Sequence, residues 1–202
     1  MELRDALAQI SHIREHMART EIFRGYRSLT VGFTGCLALL GAIAQSVWLP
    51  RPMEELNAYL TLWLGVAAIA VTVEGVEVWV RACKSESTVA RQLAVLAVEQ
   101  FLPCVAAGAL VTAAIILQSP EAAWMLPGLW AVLFSLGVFA SYRLLPRATF
   151  YIGAYYLAAG VALLSLAHGE AALAPWTMGV TFGGGQLAGA AILYFALERT
   201  DH

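Results

Sequence analysis

Residues 57–80 read NAYLTLWLGVAAIAVTVEGVEVWV, and the only charged side chains in this stretch are Glu74 and Glu77. A helix needs about 20 mostly apolar residues to cross the roughly 30 Å of hydrocarbon in a bilayer. Lipid offers no partner for backbone N–H and C=O groups, so the stretch predicts a continuous helix. Five further stretches share its length and apolar character: 28–48, 90–117, 123–142, 148–167 and 176–197.

These six stretches predict an all-α fold, a polytopic membrane protein with six transmembrane helices. Hydrophobic residues make up 60% of the chain and charged residues 13%, about half the charged fraction of a soluble domain. We therefore expect a cytoplasmic helix and membrane-entry segment at 1–27, one six-helix bundle at 28–197, and a cytoplasmic tail at 198–202. Short loops, two of them containing proline, join the spans into three hairpins.

The basic residues predict the orientation. Eleven of the 12 Lys and Arg residues precede the first span, lie in or beside the second and fourth loops between spans, or follow the last span. Arg51 alone lies on the other side, in the first loop. Basic residues concentrate on the cytoplasmic side of a membrane. Both termini are therefore expected in the cytoplasm, with the chain in a plasma membrane. The net charge of -2 gives no reason to expect a nucleic acid partner.

Residues 2–20 have the pattern of an amphipathic helix. Apolar side chains recur every three or four residues, and the charged residues on the other faces balance to zero. A helix that binds anionic lipid is usually rich in Lys and Arg. This helix is better suited to packing on its own bundle, on a second copy in a homo-oligomer, or on a cytoplasmic protein, with the membrane surface as a further alternative. The apolar stripe consists of Leu3, Leu7, Ile10, Ile13 and Met17.

Small residues recur in the last two predicted spans. Gly185 and Gly189 form a G-x-x-x-G pattern, and Ala154 and Ala158 have the same spacing. Such residues let helix backbones approach closely in lipid. The run of glycines at 183–185 also predicts a locally loosened helix beside a cavity.

Two intramembrane carboxylates give the main indication of function. A rise of 1.5 Å per residue places Glu74 about 10 Å below Arg81, and Glu99 about 12 Å below Arg91. A carboxylate in hydrocarbon costs about 2.5–3.5 kcal/mol on insertion scales, so it normally faces a bundle interior or a wet cavity. The same rise brings one polar residue from each of three other helices to this layer. We therefore expect a ligand-binding site formed by Glu74, Glu99, Tyr155, Thr34 and Ser135.

A structural role for the same carboxylates is the alternative interpretation. Glu77 precedes Arg81 by four residues, the spacing of an ordinary helix-surface ion pair. Glu74 and Glu99 would then be neutralised by Arg81 or Arg91, or by polar neighbours, rather than by a ligand. If they instead face each other, the two carboxylates are expected to share a proton or to bind a cation or an amine.

No pattern in the chain supports catalysis, a bound metal or a cofactor. Residues 12–16 match H-x-x-E-H, an inverted zinc-protease pattern, but the chain supplies no third ligand or substrate cleft for it. Nucleophile, Walker and Rossmann motifs are absent from the sequence. An enzyme is therefore disfavoured, and no catalytic residue, metal site or cofactor is predicted.

Several runs in the chain resemble one group of proteins. The runs are LPGLW at 126–130, SYRLLPR at 141–147, FGGGQL at 182–187 and LYFALER at 193–199, together with IREHMART at 13–20. They are similar to small six-span bacterial inner-membrane proteins with no assigned activity. The resemblance implies a bacterial origin and a six-helix bundle, and it implies no activity and no functional residues.

Two functions remain as hypotheses from the sequence. The first is a small transporter or channel-like binding protein for a proton, a cation or a small amine, which uses the intramembrane carboxylates. The second is a membrane sensor or scaffold that docks a cytoplasmic or membrane partner through its N-terminal helix. The first is preferred because ionisable residues within a membrane usually have a function.

Overall fold

The computed structural model describes residues 28–84, 88–142 and 147–195. Within these ranges the protein is helical and contains no β-strand, which confirms the all-α prediction. The amphipathic helix predicted at 2–20 and the tail predicted at 198–202 lie outside the described residues.

Five of the described helices are long and apolar enough to cross a membrane. The first three are α1, Ser28–Trp48, α2, Leu56–Lys84, and α3, Thr88–Gln118. A short 3-10 helix, Pro120–Met125, leads into α4, Leu126–Ser141, and α5 follows at Thr149–Leu166. These helices coincide with the first five apolar stretches of the sequence, and the membrane character of the chain follows from them.

The sixth apolar stretch has a different structure. It consists of three consecutive segments: a short helix α6, Pro175–Met178, a π-helical segment, Gly179–Gly184, and helix α7, Gly185–Leu193. Each segment by itself is too short to cross a bilayer. The sixth span and the arrangement in three hairpins therefore remain predictions. The π-helical segment includes two of the three consecutive glycines, where a loosened helix was expected.

Close backbone packing holds α1, α4, α5 and α7 together. Helix α1 contacts α2, α6, the π-helical segment and α7, while α4 packs most extensively on α5. A Cβ atom added at Gly160 in α5 would lie 2.7 Å from the carbonyl oxygen of Gly128 in α4. No residue larger than glycine fits such an approach, which is typical of helix packing in lipid.

Side-chain hydrogen bonds join several helices at the end of the bundle where α1 ends. The buried amide of Gln45 donates to the Leu173 carbonyl oxygen at 2.7 Å and accepts from the Trp63 indole nitrogen at 2.8 Å. These bonds join α1, α2 and the segment before α6. Farther along the bundle, the Trp130 indole donates to the Thr112 hydroxyl at 2.8 Å and so joins α4 to α3.

Helices α2 and α3 form the open edge of the bundle. Only 6% of the apolar window in α3 and 17% of that in α2 is buried, compared with 44% for the window that contains α4. The two helices also contact each other sparsely. Their exposed apolar side chains therefore face the surroundings, which are hydrocarbon in a membrane.

Candidate functional site

A contact between α1 and α2 places the Glu74 carboxyl inside the bundle. Oε1 of Glu74 lies 3.1 Å from Oγ1 of Thr34, whose side chain is only 2% exposed. The same hydroxyl lies 2.8 Å from the carbonyl oxygen of Val31, one turn earlier in α1. Thr34 is the hydrogen-bond partner of Glu74 among the side chains that the structure describes.

The two contacts of Thr34 bear on the charge of Glu74. A hydroxyl carries one proton, so it donates one hydrogen bond and accepts others. Thr34 can bond to both oxygens at once only when it donates to Val31 and a protonated Glu74 donates to Thr34. An ionised Glu74 would instead accept the Thr34 proton. The two distances together therefore suit a carboxyl that holds a proton.

Glu74 lines a cavity of about 110 Å³, which we call the polar cavity. Ser141, Thr149 and Gln186 contribute further polar side chains to its wall. The hydroxyl oxygens of Ser141 and Thr149 are buried and have no hydrogen-bond partner among the described residues. Unpaired buried hydroxyls are uncommon in proteins and call for a water, an ion or a ligand as partner. The cavity exceeds the roughly 10–15 Å³ that one water molecule needs.

The polar cavity lies at one end of the bundle. Its wall includes Val31 near the start of α1, Ser141 at the end of α4 and Thr149 at the start of α5. Helix α7 contributes Gln186 and, at its own end, Leu193. Four helix ends therefore surround this space, and Glu74 is the one charged side chain among the described residues of its wall.

A second cavity of about 260 Å³ adjoins the first, and we call it the apolar cavity. Phe101, Phe134 and Gln186 line both spaces, so the two cavities meet at these side chains. Phe134 packs edge-on against Phe101 and Phe182, with ring centroids 5.2 and 5.9 Å apart. Most of the described lining residues are apolar or aromatic. The polar ones are Gln186, Thr34 and Thr112, and Cys104 contributes a thiol.

The π-helical segment positions residues for both cavities. Phe182 lies within it, and Gln186 follows it in α7. Two tyrosines of α5 support its backbone: the Tyr155 hydroxyl donates to the Val180 carbonyl oxygen at 2.7 Å, and the Tyr156 hydroxyl to that of Phe182 at 3.4 Å. Such side-chain bonds compensate irregular backbone within a membrane. Single π-helical turns often occur at functional sites.

The structure brings together two of the five residues predicted from the sequence. Thr34 and Glu74 are in contact, whereas Glu99 is exposed on α3 and lines neither cavity. Ser135 is fully buried, but its hydroxyl donates to the Val132 carbonyl oxygen of its own helix. Tyr155 supports the π-helical segment. The five residues therefore do not converge on one layer around two facing carboxylates.

Ser141, Thr149 and Gln186 are the site residues that sequence reasoning missed. The depth estimate started from basic residues, and Thr149 lies only two positions after Arg147, well short of the depth estimated for Glu74. Gln186 is the clearer signal, because an amide in an apolar span needs polar neighbours. It directly follows the glycine run that already indicated a cavity.

Among the described side chains, no ion pair to Glu74 and no metal-binding group is found at this site. Arg91 is exposed and forms no ion pair with another described residue, and the side chain of Arg81 is outside the described part. Within the described residues no three His, Cys, Asp or Glu side chains lie close enough to hold a metal ion.

Comparison with protein-family models, with curated proteins and with solved structures found no match to this chain.

Proposed function

We propose that this chain is a membrane-embedded binding or transport protein for a small cation or amine, with Glu74 as the counter-ion. The observation that carries the proposal is the polar cavity, in which the carboxyl shares its walls with two buried hydroxyls that have no partner in the described chain. Tyr59 and Gln100 also have a buried side-chain oxygen without a partner, but neither lines the polar cavity with a carboxyl.

The chemistry of the wall favours a positive ligand over an anion. Glu74 accepts hydrogen bonds when ionised, and the hydroxyl oxygens of Ser141 and Thr149 and the amide oxygen of Gln186 are further acceptors. No Lys, Arg or His is among the described residues of the wall. An anion would face the carboxylate without a compensating charge, which is costly in a medium of low dielectric constant.

The proposal includes the six-span topology, with Pro175–Leu193 as the sixth span. With both termini in the cytoplasm of a bacterium, the start of α1 and the ends of α4 and α7 lie on the cytoplasmic side. The polar cavity would then be reached from the cytoplasmic half of the inner membrane. Movement of a ligand to the other side would require the bundle to open past the Gln45 and Trp63 hydrogen bond.

The proposal is tested by measuring ethylamine binding to the purified protein in nanodiscs by titration calorimetry. Glu74→Gln preserves the size of the side chain and its bond to Thr34, so the fold should be retained. Binding should weaken roughly 10–100-fold, which corresponds to the 1.5–3 kcal/mol of a hydrogen bond to a charged group. Unchanged binding in a folded Glu74→Gln protein would refute the role of Glu74.

Glu99→Gln is the matched control, because it removes a carboxyl from the exposed face of α3. We expect this variant to bind ethylamine as the wild type does. An equal loss in both variants would instead favour the two-carboxylate site expected from the sequence. Uptake of labelled ethylamine into proteoliposomes then separates the functions, since binding without uptake favours a sensor over a transporter.

A further inference from the structure

The polar and apolar cavities are adjacent and share part of their walls. Phe101, Phe134 and Gln186 belong to both walls, and Thr34, which lines the apolar cavity, holds the Glu74 carboxyl that lines the polar one. Their combined size reaches the lower part of the range of small-molecule sites, about 300–1,000 Å³. A molecule that occupies both would place one end beside Glu74 and the other among aromatic rings.

Apart from Gln186, which also lines the polar cavity, and the Cys104 thiol, the polar groups described in the apolar cavity are engaged within the protein. The Thr112 hydroxyl donates to the Gly108 carbonyl oxygen at 2.7 Å and accepts from the Trp130 indole. The Trp63 indole is bonded to Gln45. Little hydrogen-bonding capacity therefore remains for a ligand in this part, which suits a hydrocarbon chain or an aromatic body.

The apolar cavity opens toward the exposed edge between α2 and α3. Leu64 and Val71 of α2 and Val105 of α3 line the cavity, yet they are 45%, 51% and 38% exposed. A side chain that belongs to both a cavity wall and the outer surface marks the rim of an opening. Because this edge faces hydrocarbon in a membrane, a ligand would enter from the lipid.

The number of acceptors in the polar cavity identifies the head group. A primary ammonium carries three N–H donors and no acceptor. Glu74, Ser141, Thr149 and Gln186 offer it at least that many oxygen acceptors, including the two hydroxyls without a described partner. A quaternary ammonium has no N–H and would leave those hydroxyls unpaired, and an anionic head would be repelled by Glu74.

We infer that the two cavities form one site for a lipophilic primary amine, whose ammonium lies at Glu74 and whose apolar body fills the space between α2, α3 and α4. This inference rests on the proposed function and extends it from small amines to membrane-soluble ones. It predicts that n-octylamine is bound through both cavities and ethylamine through the polar cavity alone.

Two native thiols report on occupancy of the apolar cavity. Cys104 lines it, while Cys36 is exposed on α1 and lines neither cavity. n-Octylamine should slow the reaction of Cys104 with N-ethylmaleimide and leave Cys36 unaffected, as followed for each cysteine by mass spectrometry. Ethylamine should protect neither thiol. Octyltrimethylammonium and octanoate, with the same chain and a different head, should protect Cys104 at least tenfold less well.

Gly108→Leu separates the apolar cavity from the polar one. Gly108 lines the apolar cavity, and a Cβ atom built there meets no heavy atom within 4 Å, so the larger side chain fills space without a clash at its base. Affinity for n-octylamine should fall about tenfold, with ethylamine binding unchanged. Gly65→Leu is the matched control: its Cβ also meets open space, but Gly65 lines neither cavity.

The outcomes distinguish this inference from the proposed function. If ethylamine binding depends on Glu74 but n-octylamine neither protects Cys104 nor responds to Gly108→Leu, the proposed function stands and the lipophilic ligand is refuted. If n-octylamine protects Cys104 equally in Glu74→Gln, the ammonium is not held at Glu74 and the inference is also refuted. If neither amine binds the wild-type protein, both proposals fail.

Discussion

Replacing Gly185 with alanine should destabilise the bundle through a single close contact. A Cβ atom added there would overlap the ring and hydroxyl of Tyr156. Tyr156 is fully buried, and its ring centroid lies 4.6 Å from that of Phe134 and 5.6 Å from that of Phe182. Because these neighbours surround the ring, it has little room to move away from the new methyl group.

The expected change in the free energy of unfolding follows from two opposing effects. An extra methyl group in a well-packed core costs about 1–3 kcal/mol. Alanine is favoured over glycine within a helix by about 1 kcal/mol, which offsets part of that cost. Since the weak bond from Tyr156 to the Phe182 carbonyl oxygen would also be disturbed, we expect a net loss of about 1–2 kcal/mol.

Gly189→Ala is the matched control in the same helix. A Cβ atom at Gly189 would lie 3.7 Å from a methyl carbon of Val31, an ordinary van der Waals contact. This variant should therefore be neutral or more stable by up to about 1 kcal/mol. The measurement is unfolding of both variants by SDS added to detergent micelles, with tryptophan fluorescence as the signal.

The comparison of the two variants tests the reasoning directly. Tyr156→Leu in the Gly185→Ala background should recover part of the loss, because contacting residues couple by about 0.5–3 kcal/mol. A neutral Gly185→Ala would refute the close approach of Tyr156. Equal losses at Gly185 and Gly189 would mean that the G-x-x-x-G pattern packs on a second copy, as in the predicted homo-oligomer.

Three further predictions use different parts of the chain. Gln45→Leu leaves the Trp63 N–H and the Leu173 carbonyl oxygen without their partner, so SDS unfolding should show a loss of about 2–3 kcal/mol; an unchanged midpoint would contradict this. A membrane-impermeant maleimide added to intact cells should label a cysteine placed at Glu121 and should not label Cys83; the reverse would overturn the orientation. Deleting residues 2–20 should lower the unfolding midpoint or change the oligomer size, whereas strong binding of the isolated peptide to anionic vesicles, with neither change, would refute packing on protein.

The sequence was sufficient to predict the helices, because a long apolar stretch has one economical structure in lipid. Helices α1 to α5 follow the apolar stretches closely. The sixth stretch differs, since the glycine run permits a π-helical segment whose geometry depends on Tyr155 and Tyr156 of another helix. Composition alone cannot specify that contact, although the glycines indicated where the irregularity would lie.

The candidate site was predicted less well, because depth in the membrane does not give direction around a helix. The rise per residue put Glu74 and Glu99 at a similar level, but their helices turn the two carboxyls differently. Glu74 faces Thr34 inside the bundle, and Glu99 is exposed. The weak periodicity of apolar residues in α2 and α3 explains the difficulty: a helix apolar on all sides carries no signal for its buried face.

Several polar groups outside the candidate site are paired across helices. Gln45, Trp63, Thr112 and Trp130 bond to one another or to nearby backbone in two networks, and each network joins different helices. The polar cavity has the opposite character, since Ser141 and Thr149 keep unpaired hydroxyls beside Glu74. Leaving buried polar groups unpaired costs about 1–3 kcal/mol each. Tyr59, which is fully buried in the same core as Trp63 and Leu173, also has an unpaired hydroxyl. The polar cavity is distinguished by two such hydroxyls in one wall with a carboxyl, where a ligand with N–H donors would remove the cost.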